Sequence, residues 1–167
     1  MKKLLLYDLD GTLVDTRRDI VAAANFALQE LGERPLSPEA VEGRVGRGLR
    51  ELISGILPPG EDPKRIERGM KIYRDHYRAH LLDHAVVYEG VREFLEYFKE
   101  RSQAVITNKP DPFSEEILRG LGLAHYFFSI VPGDGAFPRK PKPDSILAMM
   151  TETGAGRAET IYIGDSE

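Results

Sequence analysis

Cysteine is absent from the 167 residues. That excludes a disulfide scaffold, a Cys-based zinc site and a thiol nucleophile. No long hydrophobic run is present either. The first one covers only Leu4 to Tyr7 before Asp8 interrupts it, whereas the apolar region of a signal peptide needs about 7–15 residues. Nothing later approaches the roughly 20 apolar residues of a membrane span. Neither sign of charge dominates: 23 Lys and Arg face 27 Asp and Glu, for a net charge of −4 and a pI of about 5.7. This balance argues against a nucleic-acid partner. Internal repeats and low-complexity tracts are also missing. What remains, 41% apolar and 30% charged, is ordinary globular composition. A soluble cytoplasmic protein with no membrane and no nucleic-acid partner is the expectation.

Four short apolar runs read as buried strands: Lys3–Tyr7, Gln103–Thr107, Phe127–Val131 and Thr160–Ile163. Their apolarity is continuous rather than alternating, as in parallel strands covered on both faces. Helical stripes follow at Gly90–Lys99, Pro112–Leu121 and from Pro143 to Gly154. Strands alternating with helices predict an α/β fold, a Rossmann-like doubly wound parallel sheet.

One interval breaks the alternation. Residues 16–86 read as helical. Thr16 and Asp19 suggest a capping box for a helix carrying Ile20, Ala24, Leu28 and Leu31 up to Gly32. Ser37-Pro38-Glu39 starts a second helix that Gly46 would stop, and Asp62-Pro63 starts a third along Ile66, Met70, Tyr73, Tyr77 and Leu81. The expected organisation is a sheet core from 1–15 and 87–167, interrupted by an inserted α-helical cap domain at 16–86.

Polar residues gather where the strands end, which is where open α/β sheets bind ligands. The first strand runs into Asp8-Leu9-Asp10-Gly11-Thr12. Asp8 and Asp10 point to the same side, and two such carboxylates repel unless one is protonated or a cation is close. Mg²⁺, which takes hard oxygen ligands and bridges carboxylates to phosphates, is the cation that suits them. Asp10-Gly11 taken alone also reads as a turn. The second strand ends in Thr107-Asn108-Lys109, a hydroxyl and backbone N–H groups for an anion. After the third comes Arg139-Lys140-Pro141-Lys142-Pro143, able to aim a lysine at a phosphate. The fourth ends in Gly164-Asp165-Ser166-Glu167.

In this order, Asp8-x-Asp10-Gly11-Thr12, Thr107-Asn108, Lys140-Pro141-x-Pro143 and Gly164-Asp165 resemble the four motifs of the haloacid dehalogenase superfamily phosphatases, over the whole chain. The helical insertion after the first motif is similar to the cap of one subgroup. Within it, Gly11-Thr12-Leu13-Val14-Asp15-Thr16, Val45-Gly46-Arg47-Gly48-Leu49-Arg50-Glu51-Leu52 and Tyr88-Glu89-Gly90-Val91 look most like phosphoglycolate phosphatases. The resemblance implies a Mg²⁺-dependent phosphatase acting on a small phosphorylated metabolite, with 2-phosphoglycolate as the leading substrate. Asp8 would be the nucleophile that becomes an aspartyl-phosphate. Asp10 would be the general acid and base. Thr107 and Lys140 would hold the phosphoryl oxygens, with Gly11, Thr12 and Asn108 beside them. Asp8, Asp10 (through its carbonyl) and Asp165 would bind the metal.

The second acid, Asp10, disfavours the metal-free haloalkanoate dehalogenases of the superfamily. A β-phosphoglucomutase-like phosphotransferase or another small-molecule phosphatase remains open. The family pattern continues to a further acid four residues past Asp165, whereas this sequence ends at Glu167. A C-terminally truncated, inactive fragment or a phosphate- or protein-binding module is therefore the expectation from a different class. Oligomeric state is left open.

Outside the motifs, Arg44, Arg47 and Arg50 recur every third residue, and an arginine there could grip a substrate carboxylate in two-toothed geometry. Arg47 is the candidate, against the alternative of a solvated surface charge. His76, His80 and His84 at four-residue spacing would share one face of a continuous helix. That spacing suggests a metal site or, more simply, an exposed face beside Asp75 and Asp83.

Overall fold

The computed structural model describes residues 2–165. The chain forms two compact units, one of Met1–Asp15 with Val86–Glu167 and one of Thr16–Ala85. In chain order the elements are β1 (Leu4–Tyr7), β2 (Val14–Asp15), α1 (Arg17–Glu30), α2 (Pro38–Glu42), α3 (Leu49–Ile56), α4 (Pro63–His80) and β3 (Val86–Val87). They continue with α5 (Val91–Tyr97), β4 (Ser102–Ile106), α6 (Phe113–Gly120), β5 (Ser129–Val131), α7 (Asp144–Thr153) and β6 (Thr160–Ile163).

In the first unit, four parallel strands lie in the order β5-β4-β1-β6. The central β1 explains the continuous apolar runs. Leu4 and Leu6 join Ala104, Ile106, Val131, Met149 and Ala155 in one buried cluster. Leu5 and Tyr7, equally buried, point to the other face. There the Tyr7 ring meets Phe127 at 5.9 Å and Phe94 at 6.4 Å, edge to face. Its hydroxyl donates to Gln103 Oε1 at 2.6 Å, and Gln103 Nε2 donates to the Leu95 carbonyl at 3.1 Å. Burial pushes the Tyr7 phenol upward, so it keeps the proton that it donates. The third strand is shorter than its apolar run: Phe127 and Phe128 precede β5, following a single 3-10 turn at Ala124–Tyr126.

β2 and β3 pair antiparallel, Val14 with Val87 and Asp15 with Val86. The chain thus leaves and re-enters the sheet unit at adjacent points, and seventy residues intervene without disturbing the strand order.

In the second unit, α1 buries Ile20, Ala23, Ala24, Ala27 and Leu28. Helix α4 buries Gly69, Tyr73 and Tyr77, and a Cβ on Gly69 would come within 2.9 Å of Ile53 Cγ2. Arg65 fastens the loops at one end, donating to the Leu31 carbonyl at 3.0 Å and Glu33 at 2.6 Å, and pairing with Glu61. Ser37 and Asp62 cap α2 and α4 as their residue types require.

Three local expectations are corrected. Thr16 makes no side-chain cap on α1, and the Asp19 carboxylate, the other half of the expected box, instead accepts from His84 N at 3.1 Å and pairs with His84 Nδ1 at 2.8 Å. Helix α2 stops at Gly43 rather than Gly46, and a separate helix, α3, begins after Gly48. Helix α4 ends at His80. His84 is therefore off the line of His76 and His80, and no group of three or more His, Asp or Glu side chains that could hold a metal occurs among the described residues. No helix among them is long and apolar enough to cross a membrane.

His76 instead stacks on Phe26 at 4.1 Å and lies 4.4 Å from His80, between ring centroids. Burial, and then the neighbouring His80, lower its pKa, while Asp83 partly opposes them. The unfolded chain therefore protonates first as pH falls. The stabilising contribution is present above the unperturbed value of about 6.5 and is lost as the pH drops through the depressed one. Replacing His76 with Gln is expected to flatten the loss of thermal stability between neutral and mildly acidic pH. Parallel melting curves for variant and wild type would contradict this.

Candidate active site

The ends of β1, β4 and β6, with the loops after β4 and β5, bring the polar residues of the first unit together. Asp8 continues β1 by one residue, its N–H donating to the Ile163 carbonyl at 2.8 Å. Its Oδ1 accepts from Leu9 N at 2.7 Å. The chain then turns tightly, with the N–H groups of Leu13 and Val14 both directed at the Leu9 carbonyl. Gly11 in this turn has φ +76°, a conformation that costs glycine least. A Cβ there would fall 2.2 Å from Asp165 Oδ2. Glycine is thus what lets the Asp165 carboxylate lie against the β1 turn.

Each acid of the pair meets a lysine from a different segment. Lys140 Nζ is 2.6 Å from Asp8 Oδ2 and donates to the Tyr162 hydroxyl at 2.8 Å. Lys109 Nζ is 2.9 Å from Asp10 Oδ1. Lysine is seldom buried unless paired, yet the side chains of Lys109 and Lys140 are only 4% and 16% exposed. Burial raises the pKa of Asp8. The Lys140 charge and hydrogen bond and the Leu9 N–H oppose that rise, and the Asp10 charge adds to it. The two-acid repulsion expected from spacing alone is therefore met by one ammonium per carboxylate.

Thr107 is buried at the end of β4. Its Oγ1 accepts from Lys109 N at 3.1 Å, which directs the hydroxyl proton elsewhere. The side-chain amide of Asn108 is engaged with the Lys140 backbone. Its Nδ2 donates to the Lys140 carbonyl at 3.1 Å and its Oδ1 accepts from Lys140 N at 3.0 Å. The amide matches a backbone peptide unit in both donor and acceptor, and so clips the two lysine loops together. Gly133 supports the clip from behind: its N–H donates to the Lys109 carbonyl at 2.9 Å. A Cβ on it would stand 2.3 Å from the Asn108 carbonyl oxygen. The buried hydroxyl of Thr12 has no hydrogen-bond partner among the described residues. It borders a mostly apolar hollow of about 320 Å³ shared with Leu13, Phe94 and Ile163, whose lining includes neither lysine.

Asp165 is the last described residue, and Ser166 and Glu167 of the same motif lie outside the described residues. Arg47 belongs to the helical unit. It is exposed, between Gly46 at φ +100° and Gly48 at φ +102°. Its two companions are used within that unit, Arg44 on the carbonyls of Gly55 and Ala40 and Arg50 on Glu67.

Sequence reasoning singled out the acids, Thr107 and Lys140. It passed over three contributors: Lys109 as the partner of Asp10, Tyr162 as a partner of Lys140, and Gly133. Lys109 follows Thr107-Asn108 directly, which was the available signal. Nothing local marks Tyr162 or Gly133.

A family model described as haloacid dehalogenase-like hydrolase matches residues 5–167. Phosphoglycolate phosphatase from Pseudomonas syringae pv. syringae is 35% identical over 99% of this chain and 63% of its own length. Phosphoglycolate phosphatase from Thiobacillus denitrificans is 36% identical over 98% of this chain and 75% of its own. The chain thus spans under two thirds of the Pseudomonas relative. A crystal structure described as a predicted phosphoglycolate phosphatase from Haemophilus somnus 129PT superposes with a TM-score of 0.93, at 25% identity, covering 98% of this chain and 77% of that one. With a parallel sheet that ends in paired acids and lysines, and a family match from residue 5 to residue 167, the chain belongs to the haloacid dehalogenase-like hydrolase family.

Proposed function

We propose that the protein hydrolyses a small phosphate monoester, with 2-phosphoglycolate as the leading substrate. The observation that carries this reading is Asp8 at the end of β1 with Lys140 Nζ 2.6 Å away. A carboxylate approaching a phosphate dianion meets strong repulsion, and phosphoryl transfer depends mainly on positioning and on neutralising the equatorial oxygens. Lys140 supplies a cation where the nucleophile and the phosphoryl group meet. On substrate binding its ammonium turns from Asp8 to a phosphoryl oxygen, while the Asn108 clip keeps the Lys140 backbone in place. Thr107 donates its hydroxyl to a second phosphoryl oxygen.

The chain's own chemistry runs in two halves. An Asp8 oxygen bonds to phosphorus as the bond to the leaving oxygen breaks, and that oxygen takes a proton from the Asp10 carboxyl. Asp10, now a carboxylate, then accepts a proton from water, whose oxygen attacks the phosphorus of the aspartyl-phosphate. The bond from phosphorus to the Asp8 oxygen breaks, inorganic phosphate departs, and Asp8 is restored.

The donor set fits Mg²⁺. Asp8 and Asp165 offer carboxylates and Asp10 a carbonyl, all hard oxygens, and glycine at 11 admits Asp165 to the turn. Mg²⁺ is commonly held by one or two carboxylates together with substrate phosphate. Bound there, it would neutralise charge on the transferring group. Arg47 is the group proposed to recognise the substrate carboxylate, since Arg44 and Arg50 are occupied within their unit.

Hydrolysis of p-nitrophenyl phosphate and of 2-phosphoglycolate should require Mg²⁺ and disappear on chelation. Asp8→Asn should abolish both activities, and retained activity in that variant would remove Asp8 from the chemistry. Arg47→Ala should raise KM for 2-phosphoglycolate about 10- to 100-fold, the range of one charge-assisted hydrogen bond. Hydrolysis of p-nitrophenyl phosphate, which has no carboxylate, should be nearly unchanged. Equal losses on both substrates would contradict the assignment.

A further inference from the structure

We infer that Lys109 is a positioning residue for Asp10, orienting the carboxyl that protonates the leaving alcohol. The inference rests on the hydrolase reading above and deepens it. Lys109 Nζ is 2.9 Å from Asp10 Oδ1, across 99 positions of sequence. Its side chain is 4% exposed and that of Asp10 is 18% exposed. Surface pairs in the same protein are quite different. Lys71–Asp75, at 78% and 66% exposed, is of the kind that contributes little. Burying an ammonium and a carboxylate together costs most of what their attraction returns, so stability alone is a poor reason to keep this pair.

Lysine is flexible, and this one is fixed at its base. Its N–H donates to Thr107 Oγ1 at 3.1 Å, and its carbonyl accepts from Gly133 N at 2.9 Å. The stem is buried along its length, so the ammonium has a defined position at the end of β4. Asp10, by contrast, sits in a turn. A carboxyl at the end of a turn gains its orientation from what holds it, and Lys109 holds Oδ1.

The division of labour follows. Lys140 serves Asp8 and the phosphoryl oxygens, and Lys109 serves the proton carrier. In the first half of the reaction, the bond between phosphorus and the leaving oxygen breaks and the proton on Asp10 passes to that oxygen. The ammonium of Lys109 stays in place throughout and keeps the Asp10 carboxyl aimed at the leaving oxygen. Misplacing Asp10 harms only those substrates whose leaving group needs the proton. An alkoxide needs it, whereas p-nitrophenolate leaves without it.

The test is kcat/KM, which covers the steps through release of the first product, for 2-phosphoglycolate and p-nitrophenyl phosphate, using the full chain with Mg²⁺. Lys109→Met is expected to lower the value for the alkyl ester about 100-fold, the lower range for general acid catalysis, and that for the aryl ester only a few-fold. In an Asp10→Asn background the same substitution should change the ratio of the two substrates no further. An equal loss on both esters, or an undiminished ratio change in the Asp10→Asn background, would overturn the inference. Lys109→Gln carries the same two outcomes should the methionine variant not fold. Failure of the wild-type chain to hydrolyse either ester would instead overturn the hydrolase reading on which the inference depends.

Discussion

Asp8 and Asp10 stand two residues apart at the end of one strand and point to the same side. Two carboxylates so placed cannot both stay ionised without nearby positive charge. Much of the sheet unit can be understood as a means of supplying that charge. Lys140 reaches Asp8 from the loop after β5, and Lys109 reaches Asp10 from the end of β4. Because the strands are parallel, their carboxyl ends lie together, and residues separated by 99 and 132 positions become neighbours. The Asn108 side chain clips the two lysine segments through the backbone of Lys140. Gly11 and Gly133 then permit the close approaches that any side chain would block.

This arrangement is costly, and the cost is borne by the scaffold. Charges taken out of water return little net stability even when well paired. The central strand β1 is apolar and buried on both faces, and the Tyr7–Gln103–Leu95 hydrogen bonds satisfy the polar groups that intrude there. Rigid strands fix the acids, and the loops after β4 and β5 bring cations to them. The helical unit is held by its own devices, the Arg65 fastening and the contact between Asp19 and His84.

The fold was legible because its signals are local. Continuous apolar runs marked all four strands, and polar residues at their ends marked the site. Helix boundaries were less legible. Gly43 and Gly46 both follow a helical pattern, and helix α2 stops at the first. Thr16 and Asp19 have capping-box spacing, but a partner 65 residues away, His84, takes the carboxylate. The three histidines have helical spacing, but α4 ends after the second. In the site, the acids and Lys140 could be found by motif. Lys109 as the partner of Asp10 could not, because that pairing depends on the register between β1 and β4. Tyr162 was hidden for a similar reason. It interrupts an apolar run with a hydroxyl, and only the placement of Lys140 gives that hydroxyl something to do.

The proposed chemistry resides in the sheet unit. Everything proposed for that chemistry converges on a single bond, from an Asp8 carboxylate oxygen to phosphorus. Acid quench during turnover of a phosphate monoester, followed by proteolysis and mass spectrometry, tests it directly. A phosphoryl adduct is expected on the peptide containing Asp8 and nowhere else. Steady turnover with no adduct on Asp8, or an adduct on another residue, would contradict it.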